Sequence, residues 1–255
     1  MKHYSPSQIN MYLRCSMQWA YRYIHVLKIP PSSSQIQGSS YHKAMEFNLS
    51  QKIESKKDLP LEEVKASYSD EFDNKIKEVD WNDKEKSQGI DKVKGSLKDE
   101  GIKITELAHT VFNPQIHPKE VESPFKISFD NTDYTLDGVI DVVDINNIVI
   151  DHKTTGKTPS TISQQEIIQG AIYSIAKNTN QVMFNYVIKQ KTPKTITLEK
   201  QMDDSDKEYV LKVVSAIDSA VNKELFYPNR ASMMCSKKNC GYWAQCEKDW
   251  GGKVK

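Results

Sequence analysis

The chain has 255 residues, 38% hydrophobic and 27% charged, enough to close one sizeable core or a core with an added lobe. Ten Gly and ten Pro exclude a collagen-like or Pro/Gly-driven disordered chain, and no run approaches the roughly 18 apolar residues of a membrane helix. With 35 Lys and Arg against 34 Asp and Glu the net charge is +1, so the total calls for no polyanionic partner. From Asn222 onward seven Lys or Arg stand against three acids, a basic end that reads equally as a solvated tail or a phosphate contact. The opening MKHYSPSQINMYLRC lacks the continuous apolar stretch of a signal peptide, which predicts a cytoplasmic protein with reduced thiols.

Ser5-Pro6-Ser7-Gln8 reads as a capping box with Pro at the first helical position. Apolar residues at Ile9, Tyr12, Leu13, Trp19 and Tyr23 then predict one helix that ends before Pro30, with Cys15 beside its buried stripe. After PPSSSQIQG a second helix is predicted from about Ser39 to Ser50, carrying His42 and Glu46 one turn apart. Residues 51–111 read as charged helices forming an inserted lobe. Near Pro118 the pattern turns to β-branched, alternating segments, VESPFKISF, YTLDGVIDVVD and NIVIDHK, which predict an antiparallel meander. A helix over Thr161–Lys177, strands QVMFNYVIK and KTITLEK, and a helix over Asp204–Leu225 follow. No repeat or linker divides the chain, so residues 1–255 are expected to form a single domain.

Within the meander, Asp141 lies on one strand and Asp151 and Lys153 on the next. Alternation puts Asp151 and Lys153 on one face and turns His152 away. If residues whose numbers sum to 292 pair, Val143 faces Val149, Asp141 faces Asp151, and the loop has an odd length centred on Asn146. Two opposed carboxylates repel, and a divalent cation such as Mg²⁺ or Mn²⁺ resolves the repulsion, with Lys153 able to orient a water. D-x₉-D-x-K alone reads more readily as two solvent-facing strand ends with Lys153 as their salt-bridge partner.

Three of the four cysteines, Cys235, Cys240 and Cys246, fall in CSKKNCGYWAQC, and the fourth is Cys15. In a reducing compartment such clustering suggests a metal or an iron–sulfur cluster, with four ordinary thiols as the alternative. Three thiolates leave a tetrahedral or cubane site one ligand short, and Cys15 is the only cysteine left to complete it.

The series G-x₃-H-x₃-E (Gly38, His42, Glu46), D-x₉-D-x-K and Q-x₃-Y (Gln169, Tyr173), in this order, resembles the RecB-like nucleases of the PD-(D/E)XK superfamily. With SPSQINMYLRCSMQWAYRY at the start and the cysteines at the end, the chain is similar to that family's iron–sulfur branch. That branch holds the nuclease domains of bacterial recombination helicase–nucleases, the exonucleases of CRISPR adaptation and related phage-encoded proteins. The resemblance spans residues 5–246 apart from the lobe. One departure is C-x₄-C-x₅-C where relatives commonly show C-x₂-C-x₅-C.

The resemblance implies a restriction-endonuclease-like α/β core, with a mixed central sheet flanked by helices and a Cys-ligated region of residues 226–255 and Cys15 joining the two ends of the chain. It implies metal ligation by His42, Asp141 and Asp151, with Lys153 catalytic and Gln169 and Tyr173 near the active site and the DNA backbone. Glu46 would orient His42 or pair with a lysine, and Glu122 takes no assigned role. Cys15, Cys235, Cys240 and Cys246 would hold a [4Fe–4S] cluster, or Zn²⁺. The expected activity is Mg²⁺- or Mn²⁺-dependent hydrolysis of single-stranded or frayed DNA, without sequence specificity, by an exonuclease of recombination, repair or phage DNA processing. A recombination or helicase partner fits this picture, a membrane does not, and the setting is the cytoplasm of a bacterial or phage-infected cell. The alternative is a nuclease-fold protein that binds nucleic acid or a recombination partner without cutting.

Overall fold

The computed structural model describes residues 2–254. Six strands form one mixed sheet: β1 (Lys2–Tyr4), β2 (Pro118–Ser128), β3 (Tyr134–Asp144), β4 (Val149–Thr155), β5 (Gln181–Ile188) and β6 (Lys194–Gln201). The helices are α1 (Pro6–Arg14), α2 (Ser16–Tyr23), α3 (Ser33–Ser55), α4 (Leu61–Lys75), α5 (Asp83–Gln88), α6 (Ile90–Val111), α7 (Gln164–Lys177), α8 (Asp204–Asn222) and α9 (Trp243–Trp250).

The long strand β3 organises the sheet because one of its edges carries β2 and the other carries two partners in tandem. On that second edge β1 runs parallel against Tyr134–Leu136, and β4 pairs antiparallel at Val142↔Ile150 and Val143↔Val149. Both β3–β4 pairs sum to 292, the register that placing Asp141 on the face of Asp151 and Lys153 requires. The turn between them has three residues centred on Asn146, with Asn147 in the left-handed region at φ 61° and Asp144 accepting from the Asn146 and Ile148 N–H groups. Past Ile150 the strands part, so Asp141 and Asp151 are not a ladder pair, and between β1 and β4 the β3 edge is left open. α7 then crosses over and returns the chain as β5, parallel to β4, as a βαβ unit requires. The predicted meander therefore stops at β4, and the sheet is mixed.

One face of the sheet is covered by α1, α7 and α8, around Ile9, Leu136, Val149, Ile172, Phe184 and Val214. The other is covered by α3, α4 and α6, around Tyr41, Leu49, Phe72, Ile104, Val142 and Ile150. Residues 51–111 thus pack as the apolar cover of one sheet face rather than as a lobe with mostly solvated surfaces, because Val64, Tyr68, Phe72, Ile104 and Ala108 share a core with Val142, Ile150 and Val187. Packing is tightest at Gly101 of α6, where an added Cβ would lie 1.7 Å from Tyr68 Oη. Gly101→Ala is therefore expected to destabilise the protein by about 1–3 kcal/mol through displacement of the buried Tyr68 ring, read as a lower midpoint in urea unfolding.

Three boundaries differ from the sequence reading. The first helix is two, broken at Cys15, whose backbone is extended (φ −166°, ψ 105°). There the chain turns to pair with residues 227–229: Ser16 Oγ donates to Tyr227 O, the Tyr227 N–H donates back to Ser16 Oγ, and Asn229 Nδ2 donates to Arg14 O. Cys15 consequently sits at a helix junction facing the C-terminal segment and not along a helical stripe. Ser5 caps α1 by accepting from the Gln8 N–H, but the Gln8 side chain is buried, so only half of the capping box forms. The second helix is longer than Ser39–Ser50, starting at a full capping box between Ser32 and Gln35 and ending at Lys56 in the left-handed conformation. A capping box between Ser163 and Glu166 likewise starts α7 three residues after Thr161.

Candidate active site

The open stretch of the β3 edge becomes a notch floored by backbone that no strand satisfies. Side chains do so instead. The His152 N–H of β4 donates to Asp141 Oδ2 at 2.8 Å, and the Tyr173 hydroxyl of α7 donates to the Val139 carbonyl at 3.1 Å. Tyr173 can reach because Gly138 has no side chain: Phe125 lies over that position, 3.0 Å from where a Cβ would be, and packs edge-on against the Tyr173 ring. Gln169, one turn before Tyr173, donates to its hydroxyl at 2.8 Å and accepts from Lys153 Nζ at 2.7 Å. Lys153 also contacts Asp151 Oδ2 at 2.6 Å. The chain Asp151–Lys153–Gln169–Tyr173–Val139 thus ties β4, α7 and β3 together at the notch. From the other face, His42 of α3 brings Nδ1 to 3.3 Å from Asp141 Oδ2.

The electrostatics separate the two carboxylates. Burial acts to raise the Asp141 pKa, but the His42 and His152 partners outweigh it and hold the carboxyl below its usual range. Asp151 is 2% exposed; burial first, and then the Asp141 charge, push its pKa up, against the pull of Lys153. Burial opposes protonation of His42, yet the Asp141 hydrogen bond with the Asp141 and Asp151 charges raises its pKa above the ordinary value. His152 is fully buried with neither ring nitrogen bonded, and burial drives it down to about 4, so it packs as a neutral ring against Tyr41.

Five of the predicted residues, Asp141, Asp151, Lys153, Gln169 and Tyr173, therefore meet at the notch, with His42 joining them across Asp141. Asp151 is buried, which excludes the alternative of two solvent-facing strand ends: α7 packs over its face of β4 and β5 pairs along the edge of that strand. Of the two roles open to Glu46, it takes the pairing with a lysine, Lys43, at 2.7 Å. Glu122 is the residue the sequence reading passed over. Val121 pairs with Val142 and Ser123 with Ile140, so Glu122 stands beside Asp141 on the opposite edge of β3. Its backbone is left-handed at φ 46°, a conformation costing about 1–3 kcal/mol in a non-glycine residue. Burial raises its pKa first, and the Asp141 and Glu46 charges add to it. Left-handed strain in the middle of a strand leaves no mark in alternation or propensity, so only its place in VES could have drawn attention to it.

Beyond Arg14 and Ser232, Cys15, Cys235, Cys240 and Cys246 line one pocket with Met17, Tyr21 and Tyr242. All four are free thiols. Burial raises the Cys240 and Cys246 pKa values, and the nearness of the other thiols raises both further. Tyr242 stacks on Tyr21 and donates to the Leu27 carbonyl at 3.1 Å, closing the pocket from the α2 side.

The sequence matches the family description "PD-(D/E)XK nuclease superfamily" over residues 3–247. The chain belongs to that superfamily. This PD-(D/E)XK chain is also similar in fold to a crystal structure from Eubacterium rectale described as a putative exonuclease, with TM-score 0.59 and 12% identity over 97% of this chain and 88% of that one. The structure of a protein designated SSO0001 aligns over 93% of this chain and 96% of its own at 13% identity, with a TM-score of 0.40 that carries no argument. No curated protein matches the sequence. PD-(D/E)XK nucleases use divalent metals, generally Mg²⁺ or Mn²⁺. Among the described residues no three His, Cys, Asp or Glu side chains already converge as ion ligands. Asp141 is turned to His42 and the His152 N–H, and Asp151 to Lys153. The donor set still suits a hard cation: a buried carboxylate with a raised pKa, an ionised one beside it and an imidazole within reach. Among the described residues, no helix is long and apolar enough to cross a membrane.

Proposed function

We propose that the chain is a Mg²⁺- or Mn²⁺-dependent deoxyribonuclease, an exonuclease on single-stranded or frayed DNA that reads no sequence. It would belong to the RecB-like, CRISPR-adaptation-type iron–sulfur branch and serve recombination, repair or phage DNA processing in the cytoplasm of a bacterial or phage-infected cell. The observation that carries this reading is the Asp141–Asp151–Lys153–Gln169–Tyr173 cluster in the open β3 edge. His42, Asp141 and Asp151 are the residues that would hold the cation. Bound there, it supplies Lewis acidity and a more acidic water for in-line attack on a phosphodiester. Lys153 donates one ammonium hydrogen to Gln169 while its charge sits 2.6 Å from Asp151 Oδ2, which leaves an ammonium hydrogen for a water or a phosphate oxygen. Gln169 and Tyr173 fix that lysine by a hydrogen-bond chain anchored on the β3 backbone.

The expected result is digestion of single-stranded DNA that needs Mn²⁺ or Mg²⁺ and stops with a chelator. His42→Ala should raise the Mn²⁺ concentration for half-maximal rate about tenfold or more while changing the melting temperature little, since His42 is partly exposed and fills no core space. An unchanged Mn²⁺ titration would remove His42 from the ligand set. One observation favours the non-cutting reading: both carboxylates are already engaged by protein partners. Binding of single-stranded DNA with no digestion at any Mg²⁺ or Mn²⁺ concentration would select it.

The same proposal assigns Cys15, Cys235, Cys240 and Cys246 to one [4Fe–4S] cluster, or to Zn²⁺, joining α1–α2 to residues 226–255. Support comes from the single pocket that the four thiols share.

A further inference from the structure

A cleft of about 380 Å³, with Leu13, Ile168 and Ala231 among its walls, opens between α1, the first turn and a half of α7 and the segment 229–232 that follows α8. That volume lies at the lower end of the roughly 300–1,000 Å³ of ligand clefts. Asn10, Arg14, Gln164, Gln165, Asn229 and Ser232 supply its polar lining, and no acidic residue contributes. Arg14 donates through Nε and one terminal nitrogen to Gln18 Oε1 at 3.0 and 2.8 Å, which leaves three of its five N–H groups uncommitted. Among the described residues no carboxylate lies within ion-pair distance of it. Asn10 Nδ2 donates to the Gln165 carbonyl at 3.0 Å and pins α1 to α7, while Asn10 Oδ1 is buried without a partner.

The cleft runs toward the notch along α7. Gln165 of the cleft and Gln169 of the notch are four residues apart, on one helix face and about 6 Å apart along the axis. A guanidinium without a counter-charge, several amides and no carboxylate suit an anion that also carries hydrogen-bond donors.

We propose that this cleft holds the sugar–phosphate backbone of the strand being cut, beside the scissile phosphate, with Arg14 on a phosphate oxygen and Gln165 within reach of the same strand. The inference rests on the nuclease reading and adds to it the path of the substrate strand. Arg14 then governs affinity and leaves the chemical step alone.

The test is fluorescence anisotropy with a 5′-labelled ten-residue oligothymidylate, on protein carrying Lys153→Ala so that no cleavage intervenes, across a salt series. Adding Arg14→Ala should weaken binding several-fold and flatten the plot of log affinity against log salt by about 0.7, the single-strand value for one lost phosphate contact. Arg14→Lys should restore most of that slope. Gln165→Ala, which leaves the backbone carbonyl in place, should weaken binding without changing the slope. In the cutting-competent protein, Arg14→Ala should raise KM at unchanged kcat. Folded Arg14→Ala and Gln165→Ala proteins that bind like the parent, in a protein whose unsubstituted form cuts DNA, would overturn the cleft and leave the nuclease reading standing. Failure of the unsubstituted protein to bind the oligonucleotide at all would overturn both.

Discussion

Asp151→Asn is expected to abolish cleavage while raising the melting temperature. The carboxylate is buried, faces the Asp141 charge and has its pKa pushed up, so the folded state binds its proton more tightly than the unfolded state does. The stability this group contributes is present below the unfolded carboxylate pKa near 4 and is lost as pH rises through the higher folded value. Near neutral pH the ionised Asp151 is therefore a destabilising charge, and an isosteric amide removes it while keeping the shape. Each kcal/mol so regained raises the midpoint by about 2–4 °C in a chain near this size. The gain should shrink as pH falls toward 4, where the parent is already protonated. Lys153→Ala supplies the control. It should also abolish cleavage, but it leaves Asp151 buried without its cation and should lower the melting temperature at neutral pH. Cleavage by Asp151→Asn within a few-fold of the parent would remove Asp151 from the site. A melting temperature that falls at pH 7 and not at pH 4 would show that its ionised form stabilises the fold. Such a trade between stability and activity is expected where a site gathers like charges for chemistry.

Cys15→Ser is expected to lower bound metal and melting temperature as much as Cys240→Ser does, although Cys15 is far from the other three in sequence. Cys15 lies at the α1–α2 junction where residues 227–229 pair with it, and all four thiols line one pocket. A centre bound by four thiolates loses affinity when any one is removed, and because the unfolded chain holds no such centre, that affinity counts toward folding. The loss should be several kcal/mol, about 10 °C or more, against well under 1 kcal/mol for an exposed Cys→Ser change without a ligand role. Iron and zinc analysis of anaerobically purified protein together with thermal unfolding reads both quantities. Unchanged metal content and midpoint in Cys15→Ser would separate Cys15 from the other three.

The strands from β2 onward and the helix between β4 and β5 were readable in the sequence because each rests on local periodicity. The β3–β4 register followed from requiring Asp141 to share a face with Asp151 and Lys153, which puts Val143 opposite Val149. The residues that meet at the notch were readable as well, since D-x₉-D-x-K and Q-x₃-Y keep their spacing whatever surrounds them. Tertiary structure decided what those residues experience. Burial of Asp151 comes from α7 packing over β4 and β5 pairing beside it, contacts between segments that no local pattern reports. The open stretch of the β3 edge begins where β4 parts from β3 past Ile150 and ends where β1, three residues near the start of the chain, pairs parallel with Tyr134–Leu136. A strand so short carries no periodic signal of its own. The split of the first helix at Cys15 is likewise a long-range event, since residues 227–229 supply the hydrogen bonds that continuous helix would have made. The charged sequence of residues 51–111 showed its solvated side plainly. The buried side is marked only by widely spaced Val64, Tyr68, Phe72 and Ile104, and the surface they cover, the Val142–Ile150 face of the sheet, is set by packing and not by spacing.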